Sequence, residues 1–275
     1  MAALRNILGG LVALIVAGTA LAATAADRDE LRRFLEVTGF DVAIVSMQQG
    51  AMAGPGLAGD APDAFGDQWV KLAEEVFDPD LMLERALDMM EAVMPDELVA
   101  HGMEFYGSDL GARLAQAENE SHMTPDDERY ATGDRLLAEM LEDNPGRAED
   151  LRAMANAVGG VDNSVRAVIE IQVRYMMAAS AQDAEAAWSE AELRALLAEQ
   201  VPEMRTNIEV FSLLGSVYAY RDFTDEEVAA YLAALRHPLM QQVYEVLNAV
   251  QYEVMAERYE ALAARLDELS PQQDI

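Results

Sequence analysis

Residues 94–119 read MPDELVAHGMEFYGSDLGARLAQAEN, and the order of signals in them predicts a helix, a tight corner and a second helix. Asp96 and Glu97 fit a first helical turn, where acidic side chains offset the helix dipole. Gly107 is predicted to end that helix in the left-handed conformation, and Ser108 to cap the next one. Both helices carry an apolar face, so we interpret the stretch as a packing device.

The same order of signals returns in residues 223–248, which read FTDEEVAAYLAALRHPLMQQVYEVLN, 129 positions later. A second pair of segments, DELRRFLEVTGF and EDLRAMANAVGG, aligns at a shift of 120 positions. Two matching blocks in the same order predict a duplication. The identities in the longer block are Asp96, Glu97, Val99, Ala100, Leu110 and Asn119, which match Asp225, Glu226, Val228, Ala229, Leu239 and Asn248.

Helix-start signals recur along the chain, while runs of β-branched residues with strand-like alternation are poor. We therefore predict an all-α fold of two related antiparallel helical-bundle halves in tandem, preceded by a signal peptide. The first helical repeat is expected over residues 27–143, the second over 147–270, and a tail over 271–275. The clearest starts are Asp78-Pro79, Ser189 with Glu192, and Thr224 with Glu227.

The amino terminus has the pattern of an export signal. Arg5 precedes an uncharged apolar run, and small residues follow it, which predicts a signal peptide over residues 1–22, cleaved after Ala22 or, as a second choice, after Ala25. We expect an exported protein in the periplasm of a Gram-negative bacterium, with no stable membrane insertion after cleavage. Because the chain has no cysteine, it can form neither a disulfide nor a cysteine-linked lipid anchor.

The charge balance restricts the partners. The chain has 50 acidic and 19 basic residues, and its formal net charge is -31. Such a surface repels nucleic acid phosphates and anionic lipids, so no nucleic acid partner is expected. Lys71 is the sole lysine, which argues against Schiff-base or P-loop chemistry.

In the 94–119 stretch the sequence resembles the exported bacterial family called domain of unknown function 2059, in two tandem copies. This resemblance implies a helical, periplasmic protein and no particular activity. Asp109 stands where that family usually has proline, and Arg113 where it usually has lysine. The second copy keeps Pro238 but lacks the aromatic pair and the glycine. The pattern is carried here by Asp96-Glu97, Phe105-Tyr106, Gly107-Ser108, Gly111 and Arg113.

Residues that could support catalysis or bind metal are dispersed. His101, His122 and His237 lack the spacing of a zinc site. Asp60, Asp63 and Asp67, in a Gly- and Pro-rich loop, loosely resemble a calcium site but miss the alternating spacing and the closing glutamate of a calcium loop. Carboxylates that could act as acid and base, such as Glu97, Glu104 and Glu118, are too numerous to single out one pair. We predict no catalytic, cofactor or metal residues.

Two apolar features leave alternatives open. The methionines, 16 in all, are interpreted as core filler, as an adaptable groove for apolar peptides, or as a cuprous ion site. A long apolar stripe from Leu239 to Leu269 could dock within the chain, pair with a second chain, or receive a partner helix.

The preferred hypothesis is a non-catalytic protein that binds a protein or peptide partner. The alternatives are a carboxylate-based hydrolytic enzyme with a cleft between the halves, and a structural dimerising subunit. The oligomeric state stays open. The candidate binding or corner residues are Phe105, Tyr106, Gly107, Ser108, Gly111, Arg113, His237 and Pro238.

Overall fold

The computed structural model describes residues 27–53, 65–180 and 188–269, and every regular element in these ranges is helical. The prediction of an all-α fold is confirmed. The predicted signal peptide, the tail, Asp60 and Asp63 lie outside the described residues. The helices are α1 Arg28–Thr38, α2 Phe40–Ala53, α3 Asp67–Val76, α4 Pro79–Val93, α5 Asp96–Tyr106, α6 Asp109–Met123, α7 Asp126–Asp143, α8 Pro145–Ala157, α9 Gly160–Ser180, α10 Glu190–Ala219, α11 Asp225–Leu235 and α12 Pro238–Ala263, followed by a 3-10 turn at Leu266–Glu268.

The predicted helix starts are confirmed by their hydrogen bonds. The side chain of Asp78 accepts from the backbone N–H of Leu81 at 2.9 Å, with proline in the first turn that follows. Ser189 and Thr224 each form a reciprocal capping box with the glutamate three residues later. Such caps satisfy backbone donors that have no partner inside the helix, which fixes where each helix begins.

The two aligned stretches begin and end their helices at corresponding residues. Helix α5 begins at Asp96 and α11 at Asp225, while α6 begins at Asp109 and α12 at Pro238. Both pairs keep the shift of 129 positions found in the sequence. The packing also corresponds, because α1 contacts α5 as α8 contacts α11. These matches support the duplication, which stays a prediction.

The corner before each second helix shows the same relation. Gly39 and Gly159 both have positive φ, 76° and 117°, which favours glycine. A Cβ atom on Gly39 would lie 2.4 Å from Oδ1 of Asn119. In the other half, Nδ2 of Asn248 donates to the carbonyl oxygen of Val158 at 2.7 Å. Each asparagine therefore packs on the glycine corner of its own half.

The halves share one core, and α12 lies across it. Helix α12 belongs to the second half, yet it packs against α3, α4 and α5 of the first as well as against α9. The guanidinium of Arg85 on α4 donates two hydrogen bonds to the carboxylate of Glu257 on α12, at 2.6 and 2.8 Å. The predicted stripe thus docks within the chain, burying Val243, Leu247, Val250, Val254, Tyr259 and Leu262.

Two methionines of α4 and Met94, which caps its C-terminal end, are part of the same core. Met82, Met90 and Met94 are each at most 2% exposed. Their flexible thioether side chains fill space between the packed helices. In the described ranges these three residues are packing residues, as the first of the three interpretations expects.

Helices α7 and α10 form a layer on one side of the core. They approach so closely that a Cβ atom on Gly133 of α7 would lie 2.4 Å from the carbonyl oxygen of Leu214 on α10. Helix α10 is 30 residues long and contains Pro202, which cannot donate a backbone hydrogen bond. Among the described helices, none combines the length and the apolar character needed to span a bilayer.

Candidate functional site: a tyrosine network and two openings

The α5–α6 corner is built as predicted except at Gly107. Oγ of Ser108 caps α6 by accepting from the N–H of Gly111 at 3.1 Å. The prediction of a left-handed Gly107 is wrong, because its φ is -78° and its ψ -7°. Ser108 follows at once in an extended cap conformation, so the corner needs no left-handed residue. Arg236 ends α11 with φ -79° and a full side chain, which shows that this turn does not demand glycine.

Gly111, in contrast, is required by close approach. A Cβ atom there would lie 2.1 Å from the carbonyl oxygen of Phe105 and 2.6 Å from Cα of Tyr106. The corresponding residue in the second half is Met240, which is fully buried. The first corner is therefore the tighter one, and it places Phe105 and Tyr106 against the second half.

Phe105 and Tyr106 both contact Tyr231 of α11. The rings of Phe105 and Tyr231 stack with centroids 5.6 Å apart and an interplanar angle of 7°. Tyr106 is 2% exposed, and its hydroxyl lies 2.8 Å from the hydroxyl of Tyr231. The aromatic pair is thus core rather than groove, and it joins α5 to α11.

We call the following group the tyrosine network: four buried tyrosines and one carboxylate, namely Tyr106, Tyr220, Tyr231, Tyr244 and Glu118. Tyr220 and Tyr231 donate to the same oxygen, Oε1 of Glu118, at 2.7 and 2.8 Å. The Tyr244 hydroxyl bonds those of Tyr106 and, at 3.0 Å, Tyr231. Glu118 and Tyr106 come from the first half and the other members from the second.

The protons of this network have a defined direction. A tyrosine hydroxyl has one proton to donate and lone pairs to accept. Tyr231 gives its proton to Glu118 and therefore accepts in its contacts with Tyr106 and Tyr244. The two protons of Tyr106 and Tyr244 serve at most two of the three contacts among these hydroxyls. The hydrogen bonds therefore run toward Glu118 and fix its Oε1, while Oε2 takes no part in them.

Burial governs the acid–base behaviour of the network. It raises the pKa of Tyr106, Tyr220 and Tyr231 well above the usual tyrosine value, so all three keep their protons. Burial also raises the pKa of Glu118, and the hydrogen bonds from Tyr220 and Tyr231 oppose that rise. The result is a carboxyl group held by neutral donors instead of by an arginine or lysine.

Beside the network lies a cavity of about 200 Å³, which we call the interface cavity. It opens between the α1–α2 corner, α6 and α12. Phe40, Glu118, Asn119, Tyr244 and Asn248 are among its lining residues. The network is therefore reached from this cavity through Glu118 and Tyr244.

A second, larger opening lies between α7, α9 and α10, with a volume of about 640 Å³. We call it the α10 groove. Tyr130 and Phe211 meet across one end with ring centroids 4.8 Å apart. Phe211 is 46% exposed, which is unusual for a side chain of this size. The other lining residues are Asp126, Val168, Gln172, Gln200, Glu203, Met204, Asn207 and Ile208.

The remaining predicted candidates lie at the edge of the interface between the halves. Arg113 pairs with Glu227 of α11 at 2.6 Å, and its guanidinium lies 5.0 Å from the ring centroid of Phe223. His237 caps α12, whose first residue is Pro238, and stacks on His101 of α5 at 4.5 Å. Burial and the neighbouring His237 lower the pKa of His101.

The described ranges contain no group of three or more metal-ligating side chains. The sequence interpretation missed Tyr220, Tyr231 and Tyr244 as a network. The sequence feature that could have indicated it is the presence of tyrosine at positions of the apolar stripe, because a buried hydroxyl needs a hydrogen-bond partner.

Comparison with protein-family models, with curated proteins and with solved structures finds no match to this chain.

Proposed function

We propose that this chain is an exported, non-catalytic protein that binds a segment of another protein in the α10 groove. The signal peptide over residues 1–22, the periplasmic location and the relationship to domain of unknown function 2059 are parts of this proposal. The observation that carries it is the solvent exposure of the middle of α10. Residues 198–212 of this helix include no buried side chain, and several of them line the groove.

The uncovered part of α10 carries the spacing that a helical partner uses. Val201, Met204, Ile208 and Phe211 follow one another at steps of three, four and three residues. This is the seam of helix-to-helix packing, in which apolar side chains of one helix fit between those of another. Methionine adapts such a surface to partners of different sequence.

Charge selects the kind of partner. No lysine or arginine lines the groove, and its acids are Glu203 and Asp126. Asp126 is already paired with Arg129 at 2.5 Å, which leaves Glu203 to face a partner. A second copy would bring another net charge of -31 and be repelled, so the occupant is a basic amphipathic helix of a different protein.

The positions of the acids support a binding role over the hydrolytic alternative. Carboxylate hydrolysis needs two acids that face one substrate. Glu118 is the one acid among the residues that line the interface cavity, while Glu97 and Glu104 lie exposed on α5. The dimerising alternative rested on the stripe of α12, which the chain covers with its own helices.

Fluorescence anisotropy with a labelled peptide tests the proposal. The probe is a helical peptide of about 20 residues with leucine at heptad positions a and d and lysine elsewhere. At physiological salt we expect the wild-type protein to bind it. Phe211→Ser is expected to weaken binding about tenfold, because it removes a large apolar contact from the groove.

Two controls separate groove binding from attraction to the acidic surface. Leu81→Ser removes another exposed apolar side chain, 56% exposed on α4, and should leave the affinity unchanged. A peptide of the same composition with its leucines scrambled should bind weakly. Equal binding of both peptides, or equal losses in the two variants, would contradict the proposal.

A further inference from the structure

The interface cavity is independent of the α10 groove and has its own chemistry. Its volume of about 200 Å³ exceeds the roughly 150 Å³ at which an engineered cavity takes up benzene. The space therefore suits a molecule of one ring or its equivalent with a short polar arm. It lies between elements of both halves, a frequent place for ligand sites.

The protein itself already uses part of the hydrogen-bonding capacity around the cavity. Thr38 donates its hydroxyl proton to the carbonyl oxygen of Phe34 at 2.8 Å, inside its own helix. Asn248 uses its amide to donate to Val158 at 2.7 Å. The Tyr244 hydroxyl lies within hydrogen-bond distance of those of Tyr106 and Tyr231, inside the tyrosine network. His122 and Gln251 also line the cavity, and the imidazole and the amide can each donate as well as accept a hydrogen bond.

Two acceptors around the cavity remain open to a ligand. Oδ1 of Asn119 is buried and has no hydrogen-bond partner among the described residues. Both tyrosine bonds to Glu118 end on Oε1, so Oε2 is left to another donor. An unsatisfied buried acceptor such as Oδ1 of Asn119 costs free energy, which a ligand that donates hydrogen bonds would recover.

Charge and aromatic surface identify the donor. The cavity is lined by the carboxylate of Glu118 and by no lysine or arginine. Its one histidine, His122, is neutral near pH 7, because burial and then the charge of Arg129 lower its pKa to about 4. Phe40 and Tyr244 form an edge-to-face pair with centroids 5.9 Å apart, and aromatic faces attract cations. An anionic ligand would meet Glu118 without a compensating charge, and a neutral one would leave that carboxylate without an opposite charge.

We propose that the interface cavity binds a small organic cation with a primary ammonium group. The ammonium donates to Oε2 of Glu118 and Oδ1 of Asn119, and the organic part packs on Phe40 and Tyr244. Glu118 is the recognition residue, and the tyrosine network holds its carboxylate in place. The site spans both halves, so the ligand also ties α2, α6 and α12 together.

Isothermal titration calorimetry with three molecules of one shape tests this site. The probes are benzylammonium, benzyl alcohol and benzoate, which differ in charge. We expect benzylammonium to bind the wild-type chain about tenfold more tightly than benzyl alcohol, since an ammonium–carboxylate bond is charge-assisted, and benzoate not to bind. Comparable affinities for benzylammonium and benzyl alcohol, or no heat with benzylammonium, would overturn the proposal.

Two variants locate the effect. Glu118→Gln should remove the tenfold preference, whereas Glu97→Gln, which removes an exposed acid of α5, should keep it. A similar loss in both would show attraction to the acidic surface alone and would overturn the assignment. Should Glu118→Gln not fold, Phe40→Leu tests the same site outside the network, with a several-fold loss expected and an unchanged affinity contradicting it.

Discussion

Replacing Gly111 with alanine is expected to lower the free energy of unfolding by about 3 kcal/mol, the upper range for overpacking a close contact. The new Cβ atom would lie 2.1 Å from the carbonyl oxygen of Phe105 and 2.6 Å from Cα of Tyr106. Both atoms belong to the backbone, which cannot rotate away as a side chain could. Helices α5 and α6 would separate at their corner and draw Tyr106 away from Tyr231. Urea unfolding followed by circular dichroism measures the loss.

Gly215 provides the matched control for this substitution. It lies inside helix α10, and no heavy atom comes within 4 Å of the Cβ that alanine would add. Gly215→Ala is therefore expected to raise stability by up to about 1 kcal/mol, the helix-propensity difference. A loss at Gly215 as large as that at Gly111 would contradict the explanation by close approach.

Replacing Tyr231 with phenylalanine is expected to cost about 2 kcal/mol. The change removes the 2.8 Å hydrogen bond to Oε1 of Glu118, and bonds to a charged group contribute about 1.5–3 kcal/mol. It also leaves the hydroxyls of Tyr106 and Tyr244 without their shared partner. The ring keeps its stacking on Phe105, so the loss comes from the hydroxyl alone. The same urea unfolding measurement applies.

Tyr259 is the control for hydroxyl removal. It is 7% exposed and packs edge-to-face on Phe77 at 4.9 Å, outside the tyrosine network. Tyr259→Phe should cost less than about 1 kcal/mol, because it breaks no bond to a carboxylate. If Tyr259→Phe and Tyr231→Phe lower the free energy of unfolding equally, the network contributes no stability beyond that of ordinary burial.

Local signals explain why the helices could be predicted. Caps such as Ser108, Ser189 and Thr224 act within four residues of themselves, so their effect can be inferred from the sequence alone. The prediction for Gly107 was wrong because glycine often ends a helix in the left-handed conformation, whereas Gly107 has a φ of -78°. The geometry of the neighbouring helices decides which backbone conformation this glycine adopts.

The functional features depend on packing and were therefore not predictable. Tyr106 and Tyr231 are 125 residues apart in the chain, and their hydroxyls meet only because α5 and α11 pack together. In the sequence Glu118 is one acid among many. Its distinction comes from Tyr220 and Tyr231, which lie 102 and 113 residues away in the chain and donate to it in the fold. The apolar stripe of α10 has the spacing of a buried seam, but burial depends on what covers it, and residues 198–212 contain no buried side chain.

The central claim is that the two halves form one interior joined by the tyrosine network. A double-mutant cycle between Tyr106→Phe in the first half and Tyr231→Phe in the second tests it most directly, because both changes remove a single hydroxyl without adding atoms. We expect a coupling free energy of about 1 kcal/mol, as for a buried hydrogen bond between neighbours. Losses that add to within about 0.3 kcal/mol would contradict the claim, since independent sites behave in that way.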